Sequence, residues 1–160
     1  MMRSLKRQKG LTTVETAVVG MLAMILLFGV IEVSRAFFVV NALEEVTRRG
    51  ARVAAVCRVN DGSIAEIAVF NSSGGGANSP VVGGLTTANI AVDYLDQAGN
   101  VLGDPMGSFG LIQYVRVRVV GYNHQLMIPL VATTIAMPAF ATTLPAESLG
   151  VWPGGYSPCT

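Results

Sequence analysis

Residues 11–31 read LTTVETAVVGMLAMILLFGVI and contain one charged side chain, that of Glu15. A helix needs about 20 mostly apolar residues to cross the hydrocarbon layer of a bilayer, so this run is long enough to span it once. The residues before it include four basic side chains and no acid: Arg3, Lys6, Arg7 and Lys9. Basic residues stay on the cytoplasmic side. The sequence therefore predicts one transmembrane helix whose N-terminus is cytoplasmic.

The composition of the chain agrees with a membrane segment. Of 160 residues, 51% are apolar and 13% are charged, and the mean hydropathy is +0.53. Soluble domains carry about 25% charged residues, so the composition disfavours a cytosolic enzyme and excludes a disordered chain. A net charge of +1 gives no reason to expect a nucleic-acid partner. One histidine and two cysteines are too few for a structural zinc site, and we expect no cofactor.

Two general interpretations of the apolar run compete with a more specific one. A cleavable secretory signal has an apolar region of about 7–15 residues and a small-x-small exit, whereas this longer run continues into Glu32-Val33-Ser34-Arg35. A plain signal anchor fits the hydropathy but does not explain Glu15. An acid inside a membrane span costs about 2.5–3.5 kcal/mol at its centre and less near an end, which makes Glu15 a candidate functional residue.

The residues around Gly10 resemble a type IV prepilin leader. In residues 6–15, KRQKGLTTVE, a basic stretch ends in glycine and Glu15 is the fifth residue after it. The resemblance implies that a prepilin peptidase cleaves between Gly10 and Leu11. Removal of residues 1–10 would change the net charge from +1 to −3, since it takes away four basic residues.

Further segments are similar to the TadE/TadG-like minor pilins, or pseudopilins, of the tight-adherence (Flp, type IVc) pilus system. They are residues 14–18 (VETAV), 27–33 (LFGVIEV), 41–43 (NAL) and 49–56 (RGARVAAV). Thr16 departs from the family pattern, which usually has an aromatic residue after the glutamate. The resemblance implies a structural subunit in which Glu15 pairs with the amine of a neighbouring subunit and takes part in assembly.

The helical pattern continues beyond the membrane. Apolar or small residues recur at spacings of three and four, typical of one stripe on a helix: Ala36, Val39, Leu43, Val46, Gly50, Val53 and Cys57. No proline occurs before Pro80, so the pattern predicts a helix over 11–57, on the order of 70 Å long. The stripe can pack against the chain's own C-terminal domain or against other helices in a filament.

Alternating residues after the helix predict strands. In residues 90–94, IAVDY, large apolar or aromatic residues alternate with Ala91 and Asp93. In residues 115–119, VRVRV, valines alternate with arginines. Residues 96–100, DQAGN, have turn chemistry. We expect a small antiparallel sheet of three or four strands on the C-terminal half of the helix, a pilin-like α+β fold. The predicted organisation is a leader over 1–10, a helix over 11–57 with a membrane span of about 11–38, and a β-rich extracytoplasmic domain over 58–160.

The stretch Leu126–Leu144 carries no charge, so a second membrane span is an alternative there. Pro129, Pro138 and four threonines favour an extramembrane turn and strand instead.

Three candidate sites lack the pattern that their chemistry needs. Asp96, Asn100 and Asp104 could supply oxygen ligands to calcium, but their spacing matches no EF-hand loop and a solvated turn is the simpler interpretation. Residues 74–76, GGG, lack the Lys-Ser/Thr that follows in a phosphate-binding loop. His124 is expected to be an inert surface residue at a strand end, since no nucleophile lies near it in the sequence.

Cys57 and Cys159 present a choice between a disulfide and two free thiols. With the N-terminus in the cytoplasm both cysteines lie on the oxidising side, where disulfides persist. We therefore expect a bond that ties the tail, 152–160, to the end of the long helix. In the alternative, Cys57 is a small core residue of the stripe.

The resemblance and the residues together predict a structural protein rather than an enzyme. The expected partners are a prepilin peptidase, other pilin or pseudopilin subunits, an inner-membrane assembly platform and the lipid bilayer. The expected location is the bacterial inner membrane, with the C-terminal domain in the periplasm and a place in the pilus after assembly, where the protein supports adhesion. A membrane-anchored envelope binding protein with no filament role is the alternative. It leaves the combination of Gly10 and Glu15 unexplained.

Overall fold

The computed structural model describes residues 9–127, 133–157 and 159. Residues 1–8 of the predicted leader lie outside the described residues, and so does Pro129 with its neighbours in 128–132. Within the described ranges the fold is α+β, as predicted, with one long helix followed by short helices and antiparallel strands.

The long helix, α1, runs from Lys9 to Val56, which is 48 residues and about 70 Å. The predicted long N-terminal helix is confirmed. The two halves of this helix lie in different environments. Residues 12–31 are exposed to the surroundings, apart from a half-buried Gly29, whereas one face of the helix is covered by the C-terminal domain from Glu32 onward.

The covered face of α1 contains the stripe that the spacing predicts. Val39, Leu43, Val46 and Gly50 are buried, while Arg48, Arg49 and Arg52 are exposed on the other side. Packing against the chain's own domain therefore accounts for the stripe in this part of the helix. The exposed first half of α1 is the part that remains for contacts outside the chain.

The main sheet contains three antiparallel strands in the order β1-β2-β5. The strands of the domain, in chain order, are β1 (Ile90–Leu95), β2 (Tyr114–Val119), β3 (Asn123–Gln125), β4 (Thr134–Ala136), β5 (Ala141–Pro145), β6 (Val151–Trp152) and β7 (Gly155–Tyr156). Strands β3 and β4 form one separate hairpin, and β6 and β7 form another. The register pairs Val92 with Val117 and Val117 with Thr142.

The sheet packs on α1 through the alternating side chains of β2. Val115, Val117 and Val119 are buried, and they lie in the two hydrophobic clusters that join the sheet to the helix. The short helix α2, Ser63–Ala68, packs on α1 beside the sheet. At Gly50 these elements come so close that an added Cβ would lie 3.0 Å from the Ala68 Cβ and from a methyl group of Val117.

The described part of the stretch Leu126–Leu144 is extended rather than helical. It contains β4 and most of β5, and β5 pairs with β2 in the central sheet. Among the described residues only α1 contains a segment long and apolar enough to cross a membrane. The described part of this stretch therefore belongs to the domain, as the prolines and threonines predict.

Candidate functional site

The exposed half of α1 has the dimensions of a membrane anchor. Its large apolar side chains between Val14 and Ile31 are 46–71% exposed, and an 18-residue window reaches a mean hydropathy of 2.4 with no residue buried. Residues 12–31 extend about 30 Å along the helix axis, the thickness of the hydrocarbon layer. These properties support a single-pass membrane anchor.

The residues that the sequence singles out for processing and assembly lie at the start of this exposed half. Gly10 is exposed in the first turn of α1, and a side chain added there would have no neighbour within 4 Å. Leu11 follows it in the helix. Glu15 lies about one turn further along, with an exposed side chain that makes no ion pair to another described residue.

Thr16, the departure from the family pattern, is accommodated inside the helix. Its hydroxyl donates a hydrogen bond of 2.8 Å to the carbonyl oxygen of Thr12. A hydroxyl satisfied by its own helix backbone avoids most of the cost of a polar group in an apolar layer. Thr16 is therefore compatible with the continuous helix around Glu15.

A buried polar cluster marks the point where the domain first covers α1. The Arg35 Nη1 atom donates to both carboxylate oxygens of Glu32 at 2.9 Å. The backbone N–H of Met127 donates to Glu32 Oε2 at 3.2 Å, and the His124 Nε2 atom lies 3.4 Å from Glu32 Oε1. Glu32 thus joins the base of the domain to the helix, below the apolar contacts of Val39 and Leu43.

The prediction for His124 is wrong in one respect. The structure places this residue in β3, paired with Ile135 of β4, and its side chain is 3% exposed rather than at the surface. The physical reason is that the β3–β4 hairpin lies against α1 at Glu32, which is distant in the sequence. Sequence reasoning missed Glu32 because two of its three partners, His124 and Met127, are distant from it in the sequence.

The outer face of the sheet holds a second group of charges. Arg116 and Arg118 both donate to the Asp93 carboxylate, with N···O distances of 2.7–3.1 Å. The hydrogen bond from Arg118 is the main reason why the pKa of Asp93 is lowered, and burial opposes that shift in part. The charges join β1 to β2 on the face that the valines leave free.

The two cysteines lie together at the other end of α1. Cys57 and Cys159 form a disulfide in the structure, with Cα atoms 5.5 Å apart and a sequence separation of 102. The residues just before the tail cap the helix, since the N–H groups of Leu149 and Gly150 donate to the carbonyls of Ala55 and Val56. Gly150 has φ +76, and an added Cβ would lie 2.6 Å from the Arg58 backbone nitrogen, so glycine is required there.

The structure does not bring all the predicted site residues together. Glu15 and Cys57 are about 60 Å apart along α1. Gly10, Leu11 and Glu15 lie at the exposed, apolar end of α1, and the cysteines lie at its opposite end. We therefore treat them as separate features, one suited to assembly and one to stability.

The candidate sites that the sequence argued against have structural roles in turns. Asp96 accepts hydrogen bonds from the backbone and side chain of Asn100, while Asp104 accepts one from the Gly107 N–H. The Gly74 N–H donates to Glu66. Among the described residues no group of three or more His, Cys, Asp or Glu side chains could hold a metal ion.

Comparison with known protein families gives a match that falls on α1. No curated protein and no solved structure matches this chain. One family model matches residues 10–52, which include the exposed half of α1 and most of its covered half but none of the strands. That model is described as TadE-like protein, and residues 10–52 of this chain are similar to it, as the sequence resemblance indicates.

Proposed function

We propose that this protein is a structural minor pilin, or pseudopilin, that helps to assemble or prime a tight-adherence pilus and so supports adhesion. The TadE-like segment associates the chain with that pilus system. The single observation that carries the more specific proposal is the division of α1 into a bare apolar half and a half already packed on its own domain.

The bare half of α1 gives the proposal its mechanism. About 20 residues of exposed helix are stable in lipid, and the same side chains can be buried against equivalent helices in a filament core. The covered half keeps its contacts with the sheet in both states. A subunit can therefore move from the bilayer into a filament without refolding its domain, and no covalent chemistry is required of it.

The partners and the location follow from this mechanism. A prepilin peptidase would remove the leader after Gly10, and other pilin subunits would supply the neighbouring helices. An inner-membrane assembly platform would move the subunit. The N-terminus would be cytoplasmic and the domain periplasmic before assembly, as the basic residues before Gly10 indicate.

The test of the proposal is the N-terminus of the mature protein. We expect intact-mass spectrometry of membrane-extracted protein to show a chain that begins at Leu11 in cells that contain a prepilin peptidase, and an uncut chain in cells that lack it. Gly10→Leu should block the cut, since the peptidase recognises the glycine before the scissile bond. The matched control is Gly20→Leu, a change in the same exposed helix that should leave the cut unaffected.

Two results would contradict the proposal. One is an uncut N-terminus in cells with an active peptidase, which would favour the membrane-anchored binding protein. The other is a cut near Ala36, which is where the apolar run would end if it were a cleavable secretory signal. Because α1 continues through Ala36 and is packed on the domain there, such a cut would also be incompatible with the described fold.

A further inference from the structure

Two adjacent cavities lie where α1 leaves its apolar segment. The larger, about 270 Å³, is bordered by Arg35, Tyr122, His124 and Gln125 and by the loop glycines Gly83 and Gly84. The smaller, about 130 Å³, is bordered by the apolar side chains of Phe28, Ile31 and Met127 and by Glu32, which pairs with Arg35. Arg35 and Met127 line both cavities. The pair therefore forms a cleft with one polar and one apolar part.

The polar part offers hydrogen-bond donors to a ligand. Arg35 uses Nη1 for Glu32, and within the described residues its other two guanidinium nitrogens make no hydrogen bond. The Glu32 charge is also met by the Met127 N–H, so Arg35 is not its only donor. An arginine with free donors on a planar fork is well suited to phosphate oxygens.

A buried atom in the same cluster has no hydrogen-bond partner. The Nε2 atom of His124 is buried, and within the described residues the polar group beside it is the Glu32 carboxylate, 3.4 Å away, which is long for a hydrogen bond. Buried polar atoms in folded proteins nearly always have a partner, so an exception needs an explanation. His124 also lines the larger cavity, so its imidazole lies beside any ligand that Arg35 holds there.

The apolar part lies at the edge of the membrane span. Phe28 and Ile31 belong to the exposed apolar segment of α1, and Met127, at the base of the domain, is 70% exposed beside them. Arg35 is one helical turn beyond Ile31, about 6 Å along the axis. With residues 12–31 in the hydrocarbon layer, Arg35 lies at the level of the headgroups and Met127 faces the acyl chains.

We propose that this cleft binds an anionic phospholipid, which we call the junction lipid. Its phosphate contacts Arg35 in the polar part, and one acyl chain lies along Phe28, Ile31 and Met127. The open space above Gly83 and Gly84, where an added Cβ would meet nothing within 4 Å, leaves room for the headgroup. The lipid would hold the base of the domain against the membrane surface. This inference does not require that the subunit enters a filament.

The test measures lipid binding by the full chain in detergent, with native mass spectrometry and added phosphatidylglycerol or phosphatidylcholine. We expect the wild type to prefer phosphatidylglycerol. Arg35→Gln should weaken phosphatidylglycerol binding roughly five- to tenfold, the scale of one interfacial arginine. Arg48→Gln is the matched control, because Arg48 also pairs with a glutamate one turn earlier, Glu44, but lies outside the cleft. It should leave binding unchanged.

A second variant keeps the test decisive if Arg35→Gln does not fold. Met127→Glu places a charge at an exposed position in the apolar part, and it should weaken binding of both lipids while the domain keeps its resistance to protease. Equal binding of the two lipids by the wild type, or unchanged binding by Met127→Glu, would overturn the proposal. Displacement of the lipid by inorganic phosphate at equal concentration would also overturn it, since the site would then be one for free phosphate.

Discussion

The free-energy cost of the Glu15 charge differs between a helix in the bilayer and a helix in a filament core. Near the end of the span it can reach the headgroup layer, since it lies only four residues, about 6 Å, beyond Leu11. Inside a filament core it would be buried among apolar side chains, where an unpaired charge is strongly unfavourable. After cleavage the new amine of Leu11 would be a cation at a similar depth. Pairing between the two groups, within a chain or between chains, would neutralise both.

Glu15→Gln tests this role because it removes the charge and keeps the shape. We expect the variant to insert in the membrane and to be cleaved after Gly10, but to enter filaments about tenfold less or worse, as loss of a buried pair costs more than about 1.4 kcal/mol. The measurement is the amount of the subunit in sheared pili at native expression. Glu45→Gln, at an exposed position on the covered half of α1, is the control. Normal assembly of the Glu15→Gln variant would show that the charge is dispensable.

Single residues show what a sequence can and cannot reveal. Gly10 and Glu15 are readable because their meaning depends on neighbours within five positions. Glu32 and His124 are not, because their contact depends on how the β3–β4 hairpin lies against α1. A lone histidine in a polar stretch, next to Asn123 and Gln125, indicates a surface position. The nearest available signal was Glu32 itself, an acid directly after an apolar run.

At the scale of elements, β1 and β2 are joined by charges as well as by their backbones. Asp93 faces Arg116 directly across the pair and reaches Arg118 diagonally. Its side chain is 12% exposed, so water screens the interaction only partly. Because the pKa of Asp93 is lower in the folded chain than in the unfolded chain, the ion pair stabilises the fold above the ordinary pKa of aspartate. That stabilisation is lost as the pH falls below it.

Asp93→Asn should therefore weaken the domain in a pH-dependent way. We expect the free energy of unfolding to fall by about 1–2 kcal/mol at neutral pH, the scale of hydrogen bonds to a charged group. The difference from the wild type should shrink as the pH is lowered below the ordinary aspartate pKa of 3.8. Urea unfolding of the full chain in detergent, followed by circular dichroism, measures both. The exposed Glu147→Gln is the control, and an equal loss at acidic and neutral pH would contradict the assignment.

A helix or strand could be predicted where its apolar residues repeat at a regular spacing over enough positions to be recognised. The stripe on α1 and the alternation in β1 and β2 each repeat several times, and the structure has them where the pattern indicates. The hairpins β3–β4 and β6–β7 have strands of two or three residues, which is too short for a period to appear. Their positions depend on contacts with residues distant in the sequence, such as that of His124 with Glu32 and that of Tyr156 with Arg58, rather than on local preference.

At the scale of the molecule, the disulfide between Cys57 and Cys159 closes most of the domain into one loop. For a loop of about a hundred residues, the chain-entropy model gives a stabilisation of up to about 4.7 kcal/mol. The helix cap formed by residues 149–150 keeps the tail beside Cys57 independently of the bond. Both features attach the end of the described chain to the end of α1.

We predict that protein recovered from the envelope has no free thiol. Labelling with a thiol reagent under denaturing, non-reducing conditions should leave both cysteines unmodified, and prior reduction should expose both. Cys159→Ser should lower the free energy of unfolding by about 2–5 kcal/mol relative to the oxidised wild type. Cys57→Ser is the paired variant and should give a similar loss. Two labelled thiols in the unreduced protein would refute the bond.

The path of the chain through the domain determines how the molecule responds to a pull along α1. The chain enters the domain from the helix and, with the disulfide closed, its tail is joined back to the helix end at Cys57. A force applied at the N-terminal end first acts as shear between the helix and the sheet. If that contact gives way, the helix can be drawn out only as far as Cys57, because the disulfide carries the force directly to Cys159 and bypasses the residues of the loop. The domain of an extracted subunit would then stay attached to the end of α1, and the length of chain that the force can extend would not include the disulfide-closed loop.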